Sequence, residues 1–86
     1  MRRAYLVRID APANAFRFYA LSVAPTLFGD WSLIREWGRI GSGGRLRIDQ
    51  FDDEAAAHRA LADLVRAKRK RGYAERVADM RMSVSR

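Results

Sequence analysis

The feature that most constrains the fold is a change of hydrophobic period at Asp52. Before it, short segments alternate apolar and polar residues. After it, apolar side chains recur at intervals of three and four. A period of two belongs to strands and one of 3.6 to helices. The chain therefore divides into a sheet-forming part followed by one helix.

The alternating segments are residues 4–10, 16–23, 31–37 and 45–51. Ala11-Pro12-Ala13-Asn14, Ala24-Pro25-Thr26 and Phe28-Gly29-Asp30 supply turns between the first three. Residues 38–44 (GRIGSGG) hold four of the six glycines and join the last two. Four strands at such short spacing predict an antiparallel meander. Tyr19, Leu21 and Val23 share one face of the second strand, with Phe16 and Phe18 on the other, so both sides of the sheet are expected to be partly covered. Trp31, Leu33, Arg35 and Trp37 share a face of the third, and Trp31 reads as core rather than as a contact. In the fourth, Leu46 and Ile48 are expected to point inward, with Arg45, Arg47 and Asp49 on the exposed face.

Asp52 is the expected N-cap of the helix, with Asp53 and Glu54 in its first turn and Phe51 placed as a staple. Ala57, Leu61, Leu64, Val65 and the stem of Lys68 form its buried stripe, opposite Arg59, Asp63, Arg66 and Lys70. Gly72 is the natural stop. A helix over 53–71 would be about 28 Å long at 1.5 Å per residue, enough to cross a sheet and close a single core. The expected architecture is α+β: an antiparallel sheet of four or five strands under one long helix. The domain is expected to span residues 1–73, with 74–86 as a weakly ordered tail or a short extra element.

Eighty-six residues leave little room for a deep catalytic pocket, and no acid–base pair or activated nucleophile stands out. Ser42 lies among glycines but lacks the flanking pattern of a nucleophile elbow or a phosphate loop. His58 is the sole histidine and there is no cysteine, so no familiar metal site can be assembled and no cofactor is implied. The chain thus reads as a binding module, not an enzyme. No apolar run approaches membrane-spanning length and the N-terminus has no secretory pattern, so a cytoplasmic protein is expected.

Charge narrows the partner. Seventeen basic residues against ten acidic leave a net +7, and fifteen of the seventeen are Arg. The guanidinium is a planar fork of donors that matches phosphate oxygens and stacks on flat rings. A GC-rich coding sequence would also enrich Arg, so composition alone leaves a polyanion ligand as one of two readings.

The most distinctive stretch is Trp37-Gly38-Arg39-Ile40-Gly41, followed by Ser42-Gly43-Gly44-Arg45. It combines a flat ring, a guanidinium and peptide N–H groups bared by glycine, which together can meet a sugar and a phosphate. Spacing alone favours a plain hairpin with Trp37 in the core. Arg45 and Arg47 read equally as backbone-phosphate contacts or as a solvated pair. The run from Arg66 to Arg71 reads first as a soluble helix end.

These residues resemble the signature of the WGR domain, which occurs in DNA-dependent poly(ADP-ribose) polymerases and in bacterial proteins. Asn14–Val23 resembles the family's Asn followed by an aromatic strand, and Trp31–Gly41 its central strand ending in W-G-R-[IV]-G. Gly44-Arg45, Phe51, and Lys68 with Gly72-Tyr73 match the later landmarks in order. The resemblance implies a curved antiparallel sheet carrying one helix. It also implies DNA binding, since in the polymerases the module holds a strand end at a break. Carried over by position, Trp37 would pack on a terminal sugar and Arg39 would engage DNA or a neighbouring domain. Gly38 and Gly41 would shape the loop, Arg45 and Arg47 add basic surface, and Tyr73 line the same region. These 86 residues hold neither the polymerases' catalytic domain nor their zinc fingers, so any relayed signal would have to pass to another protein. DNA is the expected partner, with RNA not distinguished from it. The alternative is a protein-interaction module that docks an acidic or apolar patch.

Overall fold

The computed structural model describes residues 2–76. Strand β1 (Arg2–Asp10) leads through a single 3-10 turn (Ala11–Ala13) into β2 (Ala15–Pro25). β3 (Trp31–Arg39) and β4 (Arg45–Phe51) complete the meander, α1 (Glu54–Lys70) follows, and the two-residue β5 (Ala74–Glu75) is the last element among the described residues. The sheet order is β4-β3-β2-β1-β5, antiparallel throughout. This is the α+β architecture expected from the change of period. β5 falls at the start of the expected tail, and the rest of that tail, 77–86, lies outside the described residues.

The core lies between one sheet face and α1. Ala4, Leu6, Tyr19, Leu21, Val23 and Leu33 of the sheet meet Ala57, Leu61 and Val65 of the helix. The helical three recur every fourth residue and so form one stripe. Leu64, Trp31, Trp37, Phe51 and Tyr73 pack around this centre while keeping some exposure. The helix begins one residue later than expected. Asp53, not Asp52, has the extended backbone of a cap, and its carboxylate accepts the N–H of Ala56 at 2.8 Å. At the far end the Gly72 N–H donates to Arg69 O and the Tyr73 N–H to Lys68 O, the pair of bonds that defines a Schellman stop.

The expected faces of β4 are reversed. Leu33 pairs with Asp49, Arg35 with Arg47 and Trp37 with Arg45, and directly paired residues share a face. Leu33 is buried toward α1, so the charged side of β4 faces that way and Leu46 and Ile48 project from the open face at 62% and 55% exposure. The register is held by Trp31 opposite Phe51 and by Arg35 reaching the Asp49 carboxylate at 2.8 Å. A slip by one residue would exchange every side chain between faces.

No helix among the described residues is long and apolar enough to cross a membrane, and none of their acidic and histidine side chains cluster as a metal-binding group.

Candidate nucleic-acid interface

Where α1 ends, the sheet continues beyond it and leaves a cleft of about 590 Å³. Its lining combines Arg8 from β1, Arg17 and Tyr19 from β2, Trp37 from β3, and Lys68, Arg71 and Tyr73 from the helix end. The helical stop builds one wall. The Schellman turn folds the chain back, so that Tyr73 comes under Lys68, whose ammonium lies 5.7 Å from its ring centre.

Tyr19 forms the floor, only 4% exposed. Trp37 stacks on it with ring centres 5.6 Å apart and planes 15° from parallel, and Tyr73 meets it edge-on at 6.3 Å. Lys68 sits 4.3 Å above the same ring. Attraction between a cation and the negative face of the ring fixes the ammonium there. Trp37 is half-buried, held by one face against Tyr19. The rings and the ammonium thus form a preorganised group, costing little rotamer entropy when a ligand arrives.

The electrostatics are one-sided. Arg8, Arg17 and Arg39 stand directly opposite one another across β1, β2 and β3. Like charges so placed are destabilising in a sheet. Among the described residues the ion pairs engage Arg2, Arg35, Arg47, His58, Arg66 and Arg69, and none reaches Arg8, Arg17, Lys68 or Arg71. Burial lowers the Lys68 pKa from its ordinary value, and the charges of Arg71, Arg35 and Arg17 lower it further. An anion entering the cleft would reverse that cationic effect.

Deeper under α1, Arg35 and Asp49 hold each other. Burial opposes the Arg35 charge, but the Tyr19 hydroxyl and the Asp49 carboxylate outweigh it and raise its pKa overall. The bond from Arg35 keeps Asp49 below the usual carboxylate range against the effect of burial, and Arg47 adds to it.

The residues singled out from sequence are divided by this geometry. Trp37 and Tyr73 come together in the cleft. Arg45 is paired directly with Trp37 on the same face. Arg47 is bonded to Asp49 at 3.1 Å. Arg39 turns along the rim, donating at 3.2 Å to both the backbone oxygen and the side-chain oxygen of Asn14, and lies 5.2 Å over the Phe16 ring. Gly41 sits in the hairpin turn with a positive φ of 89°, and Gly38 lies against Gly44 at the hairpin's base.

Sequence reasoning did not single out Arg8, Arg17 or Tyr19 for the site, and it read the basic run first as a soluble helix end with only the stem of Lys68 turned inward. The run is in fact split: Lys68 and Arg71 line the cleft, while Arg66 pairs with Asp63 and Arg69 with Glu75. The signal that could have found Arg8 and Arg17 is their place in a β1–β2 hairpin whose register sets them opposite each other.

Comparison with known proteins bears on the family of the chain. The family model of the WGR domain matches residues 2–80. The chain is 49% identical over 74 residues to the uncharacterized protein y4dW of Sinorhizobium fredii, an alignment covering 86% of this chain and 36% of that protein. It is 42% identical over 43 residues to the protein YehF of Escherichia coli, covering 50% of this chain and 16% of YehF. The chain thus spans about a third or less of the length of these relatives. No solved structure matches it significantly.

Proposed function

The chain belongs to the WGR domain family, generally one of nucleic-acid-binding modules, and from that premise we propose that it binds a DNA end or break in the cleft beside Trp37. The observation that carries this reading is four cations around three aromatic rings, without carboxylate partners among the described residues. In the free protein such an arrangement is a cost in charge repulsion; with a phosphate chain bound it becomes an attraction.

The division of labour follows from chemistry. Arg8, Arg17 and Arg71 supply forked donors to phosphate oxygens, and Lys68 supplies a point charge. Trp37 offers an indole to a sugar or base at a strand terminus, where no neighbouring nucleotide occupies the outer face. Arg39 extends the basic row along the rim.

Fluorescence anisotropy with labelled short duplexes tests this. Binding at about micromolar Kd in low salt is expected, weakening as salt rises through counterion release. Each phosphate contact adds about 0.9 to the slope of log K against log salt on duplex DNA. Arg17→Ala should therefore remove about one such unit, while Trp37→Ala should lower affinity with the slope nearly unchanged. Nicked, gapped and blunt duplexes should outcompete closed circular DNA. If folded Arg17→Ala and Trp37→Ala proteins bind as the parent does, the cleft is not the site.

A further inference from the structure

β4 ends the sheet order, so one side of its backbone has no neighbouring strand among the described residues. Its Leu46 and Ile48 stand exposed on the open face, with Ile48 beside the half-buried Ile34 of β3. An exposed edge of this kind is a template for another strand. We propose that β4 pairs antiparallel with β4 of a second copy, about a twofold axis that passes between the two Ile48 residues.

The register follows from charge. A twofold axis normal to the sheet keeps each face on its own side, so odd-numbered residues of β4 must meet odd and even must meet even. Centring on Leu46 would oppose Arg45 to Arg47. Centring on Arg47 would set Arg45 opposite Asp49 but oppose Arg47 to itself at the axis, and centring on Asp49 would oppose two carboxylates. Only centring on Ile48 sets Arg47 opposite the second copy's Asp49 and Asp49 opposite its Arg47. In that register Arg45 also meets Phe51, Leu46 meets Gln50, and Ile48 meets itself. Of the registers that oppose Arg to Asp within the strand, this one alone sets no like charges opposite each other, as a self-complementary isologous interface needs.

The intramolecular contacts are compatible with this exchange. Arg35 keeps its bond to Asp49, and the 3.1 Å bond from Arg47 to Asp49 within one strand is replaced by two across the axis. Ile34, Ile48 and their symmetry mates become a continuous apolar strip. The net +7 charge opposes association over distance. That opposition is screened beyond about 8 Å at physiological ionic strength.

The chain has no cysteine, which makes the test direct. Facing residues of an antiparallel pair have Cα atoms roughly 4.5–5.5 Å apart, within disulfide reach. Ile48→Cys protein, nuclease-treated and oxidised at physiological ionic strength, should form a disulfide dimer. Leu46→Cys and Gln50→Cys should each stay monomeric alone, because four residues of offset separate their thiols by about 13 Å, yet should cross-link when mixed. All three positions are exposed, so the fold is retained. Wild-type protein should show concentration-dependent dimerisation in sedimentation, and Arg47→Glu should abolish it without altering the circular dichroism spectrum. A wild type that sediments as a monomer at every attainable concentration overturns the pairing. So does Ile48→Cys protein that cross-links no faster than Leu46→Cys protein.

Discussion

A methyl group built on Gly44 would lie 2.5 Å from the carbonyl oxygen of Trp37 and 3.0 Å from the Phe18 ring. One on Gly38 would lie 3.0 Å from the Gly44 Cα. The glycine between the Trp and the Arg is therefore needed for the close approach of two backbones over Phe18, and through that approach the hairpin fixes the Trp37 peptide. Gly43→Ala meets nothing within 4 Å. Gly44→Ala should consequently lower stability by about 1–3 kcal/mol, against a change within about 0.5 kcal/mol for Gly43→Ala, both read from urea unfolding midpoints. Equal costs at the two positions would refute this packing. At this scale the Trp-Gly-Arg string was legible as a loop of unusual chemistry, and Lys68 with Gly72-Tyr73 as a landmark. Arg8 and Arg17 were not, because they lie in different strands and gain meaning only when the register sets one beside the other.

Among the elements, α1 was the most legible. Its stripe of Ala57, Leu61 and Val65, its acidic start and its glycine stop act locally, and the structure moves its cap by one residue only. β4 was the least legible, because alternation identifies two faces without saying which is inside. What sets the faces lies between elements: Phe51 packs on the core opposite Trp31, and on that same face Arg35 of β3 binds Asp49. That contact has a pH signature. Asp49 has its pKa lowered from 3.8 by the bond from Arg35. A carboxylate with a depressed folded pKa binds fewer protons in the native state than in the unfolded one, so its contribution is complete above the unfolded value and is lost as pH falls through the folded one. Asp49→Asn should lower the urea midpoint at pH 7, and the gap from wild type should narrow below pH 3.8. A gap that stays constant down to pH 2 would mean that the carboxylate charge does not hold the two strands.

The whole molecule is a sheet with two unlike faces, a basic aromatic cleft on the helix side and an apolar strip on the other. Pairing through β4 would leave both clefts on the same side, because the axis is normal to the sheet. With strands about 4.8 Å apart and about 3.3 Å of rise per residue, the two Tyr19 floors would lie about 30 Å from each other. One duplex long enough to reach both would then engage the second cleft at an effective concentration of about millimolar rather than from bulk solution. The disulfide-locked Ile48→Cys dimer should accordingly bind such a long duplex at least about tenfold more tightly than the reduced protein at low concentration, a threshold set below the usual avidity gain of about 10²–10⁴. A duplex too short to span the clefts should show the same affinity per site in both redox states, since locking the edge adds no contact to either cleft. If locking leaves long-duplex affinity unchanged while the short duplex still binds, the two clefts do not face a common ligand, and dimerisation serves something other than grip on nucleic acid.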